Sequence, residues 1–337
     1  MTNGVANEAA LAEARAGVPG SRSILRNVDE QGHARFELYQ SPMSLCSQKV
    51  RAVLAHKNAP YLSHDLRLIC YRDSEGVLQP ADNYHPGYVK LRLLGQRDLT
   101  VDLARSWTGR TSVATEGFDP CVVPTLVDLA SGLVVVDSAR ILKYIDEQYV
   151  EAPRLIPPDP ALASAVLRQV SIVDRTPHGA LLAGFHPDDD RRPEPLKQIM
   201  LHYHVDKIET LHRLVEQNRD HAQLRSAYEA KIQKEDVGEA VCHDAVLMRA
   251  ARADTRGILE TLEGDLAGPD WLCGRAITMA DLAWGVSLFR IKYLGLEKLW
   301  SDLPKVSDYW SRVSQIPAIR EEVIGATISS LPPSEYV

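Results

Sequence analysis

An α/β domain followed by an all-α one is the fold class the sequence predicts, and three observations carry it. Between residues 35 and 152 the patterning reads strand, helix, strand, an irregular stretch, then strand, strand, helix. Pro153, Pro157, Pro158 and Pro160 come next and supply a linker. Beyond them apolar residues recur at helical spacing to about residue 323. With 337 residues and 45% hydrophobic content the chain can furnish about two cores.

Residues 1–34 hold an Ala/Glu/Arg stretch and then Gly17 to Ser23, with few large apolar side chains, which predicts a loosely docked extension. Arg35-Phe36-Glu37-Leu38-Tyr39 alternates polar and apolar as a half-buried strand does. Val50, Val53 and Leu54 then fall at helical spacing, and Tyr61 to Leu66 reads as a second short strand. Residues 67–119 are rich in Arg, Asp, Gly and Pro, carry weak helical signals such as Tyr88-Val89-Lys90-Leu91, and read as a long insertion. Val122 to Asp128 and Leu133 to Val136 form a hairpin around Ser131-Gly132, with Pro124 at its entrance, where a proline need not donate to the ladder. A fixed cis bond is one way to build that entrance. Asp137-Ser138 opens a helix whose Ile141, Leu142 and Ile145 share a face. Further helices are expected near 161–184, 196–217, 222–235, 243–266, 279–294 and 305–323, the fifth started by a capping box of Thr278 and Asp281.

A net charge of -7 leaves no footprint for nucleic acid or an anionic membrane surface. The longest apolar runs, such as Leu133 to Val136, fall far short of the roughly 20 residues of a membrane span, and the N-terminus lacks the apolar segment of a signal peptide. A cytoplasmic protein is expected. Five cysteines without a C-x-x-C pair or zinc-type Cys/His spacing predict neither a disulfide framework nor a metal site. Cys70, Cys121, Cys242 and Cys273 read as packing residues. His202 and His204, two apart on a helix, face different directions and make a poor metal pair.

Cys46 is different, because the segment Ser41 to Arg51 places it in a first helical turn just after a strand. Unpaired backbone N–H groups and the positive end of the helix dipole favour an anion there. Ser44 can cap that helix or donate to a sulfur anion. Taken alone, a free cysteine is more often a small buried hydrophobe.

The Ser-x-Cys helix start, the Val-Pro-Thr hairpin entrance, the Asp-Ser helix start and Thr-Met-Ala-Asp, in this order over roughly residues 35–325, resemble the glutathione transferase family. The resemblance implies a thioredoxin-like, glutathione-binding domain over 35–152, with the insertion near 67–119, and a helical domain over 160–325 carrying an aromatic-substrate pocket. It implies that Val123 and Pro124 meet the cysteinyl part of glutathione, that Asp137 and Ser138 hold its γ-glutamyl group, and that Ser44 and Cys46 are the catalytic pair at its sulfur. Glutathione would be the co-substrate, with no metal, and a homodimer is expected by analogy. Ser-x-Cys-Ser-x-Lys, with Leu224 to Tyr228 and Trp284 to Ile291, resembles the zeta-like branch that includes reductive dehalogenases of chlorinated hydroquinones. That branch implies displacement of chloride by a glutathione thiolate, then exchange at Cys46 and release of glutathione disulfide. Two alternatives stay open: cleavage of a β-aryl ether or another aromatic transfer, which needs no Cys46, and a non-catalytic binding protein of the same fold.

The aromatic pocket is expected where Asp174-Arg175-Thr176-Pro177-His178 breaks the first helix of the second domain, with Pro177 kinking it. Thr176 and His178 are its candidate residues; His178 could bond a phenolic hydroxyl, although a helix-packing histidine is the simpler reading. Asp188 to Arg192 reads as a solvated loop, and the part of the insertion around Arg105, Trp107 and Arg110 as a cover for the site or a dimer neighbour.

Overall fold

The structure, a computed structural model, describes residues 4–28, 32–96, 99–266, 268 and 270–337. In its first half lie helix α1 (Glu8–Ala16) and strands β1 (Ser23–Arg26) and β2 (Phe36–Gln40), then α2 (Leu45–His56) and β3 (Tyr61–Asp65). A small hairpin of β4 (Tyr71–Arg72) and β5 (Leu78–Gln79) follows, with helices α3 (Pro86–Gly95) and α4 (Val113–Glu116). Strands β6 (Thr125–Asp128) and β7 (Val134–Val136) lead into α5 (Ser138–Gln148).

The five strands order β1-β3-β2-β6-β7; β2 and β3 are parallel, and the other neighbours antiparallel. Because side chains alternate along a strand, Phe36 and Leu38 enter one core with Val50, Val53, Ile141 and Ile145 of α2 and α5. Tyr39 enters a second core on the opposite face, with Val127 and Val136 from the sheet and Tyr88 and Leu91 from α3.

Three expectations change here. The N-terminal segment is docked: Leu11 and Ala14 of α1 are buried in the second core, and β1 pairs with β3 as an edge strand. As a result β2 is buried on both faces, and Glu37 lies inside, bonded by Arg15 Nε at 3.0 Å, His64 Nε2 at 2.8 Å and Tyr39 OH at 2.5 Å. These partners outweigh the cost of burial and hold its carboxyl down at about 2. Within the segment read as an insertion, α3 is integral to the fold, since it closes one face of the sheet and adjoins β7.

The second half is helical: α6 (Pro160–Arg175), α7 (His178–Ala183), α8 (Glu194–Leu201), α9 (Tyr203–Gln217), α10 (Ala222–Cys242), α11 (Ala245–Asp265), α12 (Met279–Tyr293) and α13 (Pro304–Val313). Helix α12 is buried nearly all round, as its apolar sequence demands. Its first turn is closed by Asp281, which accepts from Thr278 N and Oγ1 at 2.8 Å and from Tyr309 OH at 2.8 Å. Pro177 separates α6 from α7 outright instead of kinking one helix, and His202 likewise divides α8 from α9.

Helix α2 joins the two halves. It packs on α12, Gln48 Nε2 donates to Thr327 Oγ1 at 2.7 Å, and Arg51 Nε donates to Glu322 at 2.6 Å. Residues 99–118 form a strap from the sheet side to the helical half. Gly109, at φ 71°, brings its carbonyl to Gly179 N at 2.8 Å. A Cβ there would sit 2.8 Å from Ala180, so both the backbone turn and the close approach require glycine.

Candidate active site

Ser44 is the N-cap of α2, and its Oγ accepts from Ser47 N at 3.4 Å. Capping uses a lone pair and leaves the hydroxyl proton free to donate outward. Cys46 follows in the first turn and is half-buried, whereas Cys70, Cys121, Cys242 and Cys273 are buried. The Cys46 thiol donates to the carbonyl of Thr111 in the strap, at 3.5 Å. One turn further along α2, Lys49 is fully buried against Asp174.

Opposite this turn, the Val123–Pro124 bond is cis. Arg92 secures that loop from α3, donating to Asp119 O at 2.8 Å and Pro124 O at 2.6 Å. Asp137 holds φ at 73° and accepts from Val113 N at 3.3 Å. Burial and the neighbouring Asp174 push its carboxyl above the usual range, so a cation arriving beside it would be bound favourably. Ser138, first residue of α5, is buried with its Oγ unpartnered.

The helical half supplies the third wall. His178 is buried and its Nε2 shares a hydrogen bond with Ser287 Oγ at 2.9 Å, leaving Nδ1 without a partner. Burial, with Arg290 and Lys49 nearby, drives its pKa well down and keeps the imidazole neutral.

A cavity of about 240 Å³ is lined by Ser44, Cys46, Val123, Pro124, Asp137, Ser138 and His178 together. Thr176 is not in its lining; it is fully buried at the end of α6, where its hydroxyl donates to Ile172 O at 3.3 Å. The break at Thr176-Pro177 turns the chain, so that one of two residues two apart reaches the cavity and the other returns into its own helix.

Sequence reasoning missed two groups here. Arg290 lines the cavity from α12, and its signal was a lone arginine within the apolar run Leu282 to Ile291. The second is a buried ionic cluster along the cavity's edge. Lys231 bonds Asp119 at 2.8 Å and Glu235 at 2.7 Å, Lys234 bonds Glu116 at 2.9 Å, and His204 bonds Glu235 at 2.7 Å. It fastens the strap to α10 and holds His204 against Glu235. Lys231 and Glu235 are four apart on α10, but no sequence period brings Glu116, Asp119 and His204 to them.

The family model described as the glutathione S-transferase N-terminal domain matches residues 43–148, and that of the C-terminal domain matches residues 242–317. The 2,5-dichlorohydroquinone reductive dechlorinase of Sphingobium indicum is 37% identical over 324 residues, covering 94% of this chain and 89% of that protein. The tetrachloro-p-hydroquinone reductive dehalogenase of Sphingobium chlorophenolicum is 24% identical over 280 residues, covering 82% of this chain and 90% of its own. Among solved structures, glutathione transferase F2 from Populus trichocarpa matches with a TM-score of 0.52 at 14% identity, over 87% of this chain and 99% of that one, a likeness of fold.

Proposed function

The chain belongs to the glutathione transferase family, and from that premise we propose that it is a glutathione-dependent reductive dehalogenase of chlorinated hydroquinones. The observation that carries the reading is the meeting of Ser44, Cys46 and Ser138 in one cavity: a hydroxyl and a thiol where the family's co-substrate places its sulfur, and an unpartnered buried hydroxyl to receive its far end. The relatives named for hydroquinone dechlorination supply the substrate class.

Glutathione is held along the loop at Val123-Pro124. Its γ-glutamyl ammonium meets Asp137 and its carboxylate meets Ser138 at the N-terminus of α5. Ser44 donates to the sulfur. Thiolate attack on the chlorine-bearing carbon of the ketone tautomer forms the C–S bond and expels chloride. The Cys46 thiolate then attacks the glutathione sulfur of the conjugate; the C–S electron pair stays with the ring, which takes up a proton to become the dechlorinated hydroquinone. A second glutathione resolves the Cys46 mixed disulfide as glutathione disulfide. In sum, one aryl chloride and two thiols give one arene, one disulfide and HCl. A subunit pairing of the family type and a cytoplasmic setting accompany this reading.

The test is incubation of the purified protein with glutathione and 2,5-dichlorohydroquinone. Chloride, dechlorinated hydroquinone and glutathione disulfide are expected in equal amounts. Glutathione binding without chloride release would reject the reading.

A further inference from the structure

We propose that Arg290 is the receptor for a ring oxyanion of the aromatic substrate, so that the cavity takes chlorinated hydroquinones and phenols as their phenolates. This deepens the hydroquinone reading of the same cavity and rests on it.

Arg290 lies on α12 at 2% exposure and lines the cavity. Its Nη2 donates to Met43 O at 2.7 Å and Gln48 Oε1 at 3.5 Å, both neutral acceptors, while Nε has no partner. No carboxylate pairs with it among the described residues, although the neighbouring buried cations are matched: Lys49 with Asp174, Arg51 with Glu322 and Lys57 with Asp146. Arg92, the other buried arginine at the cavity, directs its donors at Asp119 O, Pro124 O and Thr125 Oγ1. An unpaired guanidinium taken out of water carries a penalty that a bound anion would offset. Burial lowers the Arg290 pKa only to about 10, so the charge is present at neutral pH.

The surroundings say which anion. Ser287 and Arg290 are three apart on α12 and share a face, so the His178 imidazole held by Ser287 stands beside the guanidinium. That imidazole is neutral and adds no negative charge. The glutathione sulfur has its own donors in Ser44 and the N-terminus of α2. Cys46, the other group near Arg290 that can carry negative charge, donates its thiol proton to Thr111 O in the free protein, so the negative charge for the helical wall comes from the aromatic ligand, whose chlorine substituents acidify the ring hydroxyl. The O–H proton goes to solvent; the phenolate pair, delocalised into the ring, then accepts a proton at carbon to give the ketone tautomer that thiolate attacks.

The experiment is equilibrium binding of 2,4,6-trichlorophenol, ionised at mildly alkaline pH, and of its methyl ether to the glutathione-saturated protein. The phenolate is expected to bind roughly 10- to 150-fold more tightly than the ether, the worth of a hydrogen bond to a charged group. Arg290→Met should abolish that preference, and Arg290→Lys should restore part of it. Equal wild-type affinities overturn the proposal whether or not either variant folds, and so does a preference that survives in Arg290→Met. Turnover enters neither readout: a preference that depends on Arg290, in a protein that releases no chloride from 2,5-dichlorohydroquinone, upholds the anion site while rejecting the dehalogenase reading.

Discussion

Cys46 Sγ lies 3.5 Å from the carbonyl oxygen of Thr111, so the thiol that begins α2 is held by the strap crossing between the two halves of the molecule. A packing cysteine would be enclosed on all sides; this one borders the cavity and is half-buried. Cys46→Ser should release one chloride per active site and accumulate the glutathionyl hydroquinone without forming glutathione disulfide. Mass analysis of quenched product checks this, and full turnover by the variant would remove the reason for the second thiol.

Ser44 has two roles that separate by measurement. Ser44→Ala removes an N-cap, expected to cost about 1 kcal/mol of stability in denaturant unfolding. It also removes the donor to the sulfur, expected to slow chloride release by roughly ten- to hundredfold. Ser44→Gly, which costs a helix only a few tenths of a kcal/mol at this position, should show the rate loss with little of the stability loss.

His178 is buried neutral, and this fixes a sign. Its folded pKa lies well below the ordinary 6.5, so below that value the unfolded chain binds a proton that the folded chain does not. Stability attributable to His178 is complete above about pH 6.5 and declines as pH falls toward the folded value. Between pH 7 and 5 the wild type should lose more stability than His178→Gln. Equal losses in urea titrations at the two pH values would show the imidazole to be protonated in place.

Arg15 and Glu37 tie α1 to the sheet. Glu37 is depressed to about 2 from an ordinary 4.5, so its contribution is present above pH 4.5 and is lost as pH falls toward 2. With the Arg15 side chain 39% exposed, Arg15→Ala should cost only about 1 kcal/mol at neutral pH, a difference that shrinks below pH 4.5. Thermal unfolding of the pair across that range is the check.

Strands β2, β3, β6 and β7, with α2, α5 and the main helices of the second half, were legible because their apolar residues follow one period each, Phe36 and Leu38 on one face of β2 and Ile141, Leu142 and Ile145 on one face of α5, whereas α1, β1, β4 and β5 lay in segments read as a loose extension or an insertion. Six of the residues lining the cavity, Ser44, Cys46, Val123, Pro124, Asp137 and Ser138, were legible by resemblance of short motifs at chain turns, and His178 by the break in its helix. What period cannot carry is pairing across the sequence. Glu37 looked like the solvent side of a strand until α1 brought Arg15 to it. Thr176 and His178 were alike in sequence, and only the chain break at Pro177 separates the hydroxyl in its helix from the imidazole at the cavity. Arg290 sat in an apolar run, where its chemistry becomes visible only once its lack of a carboxylate is known.

The most direct test of the account is intact and peptide mass analysis of enzyme quenched during a single turnover with one equivalent each of glutathione and 2,5-dichlorohydroquinone. A glutathione adduct is expected on the peptide bearing Cys46, equal in amount to the chloride and dechlorinated hydroquinone released. Release of both products with Cys46 unmodified throughout, or with the adduct on another cysteine, would contradict it.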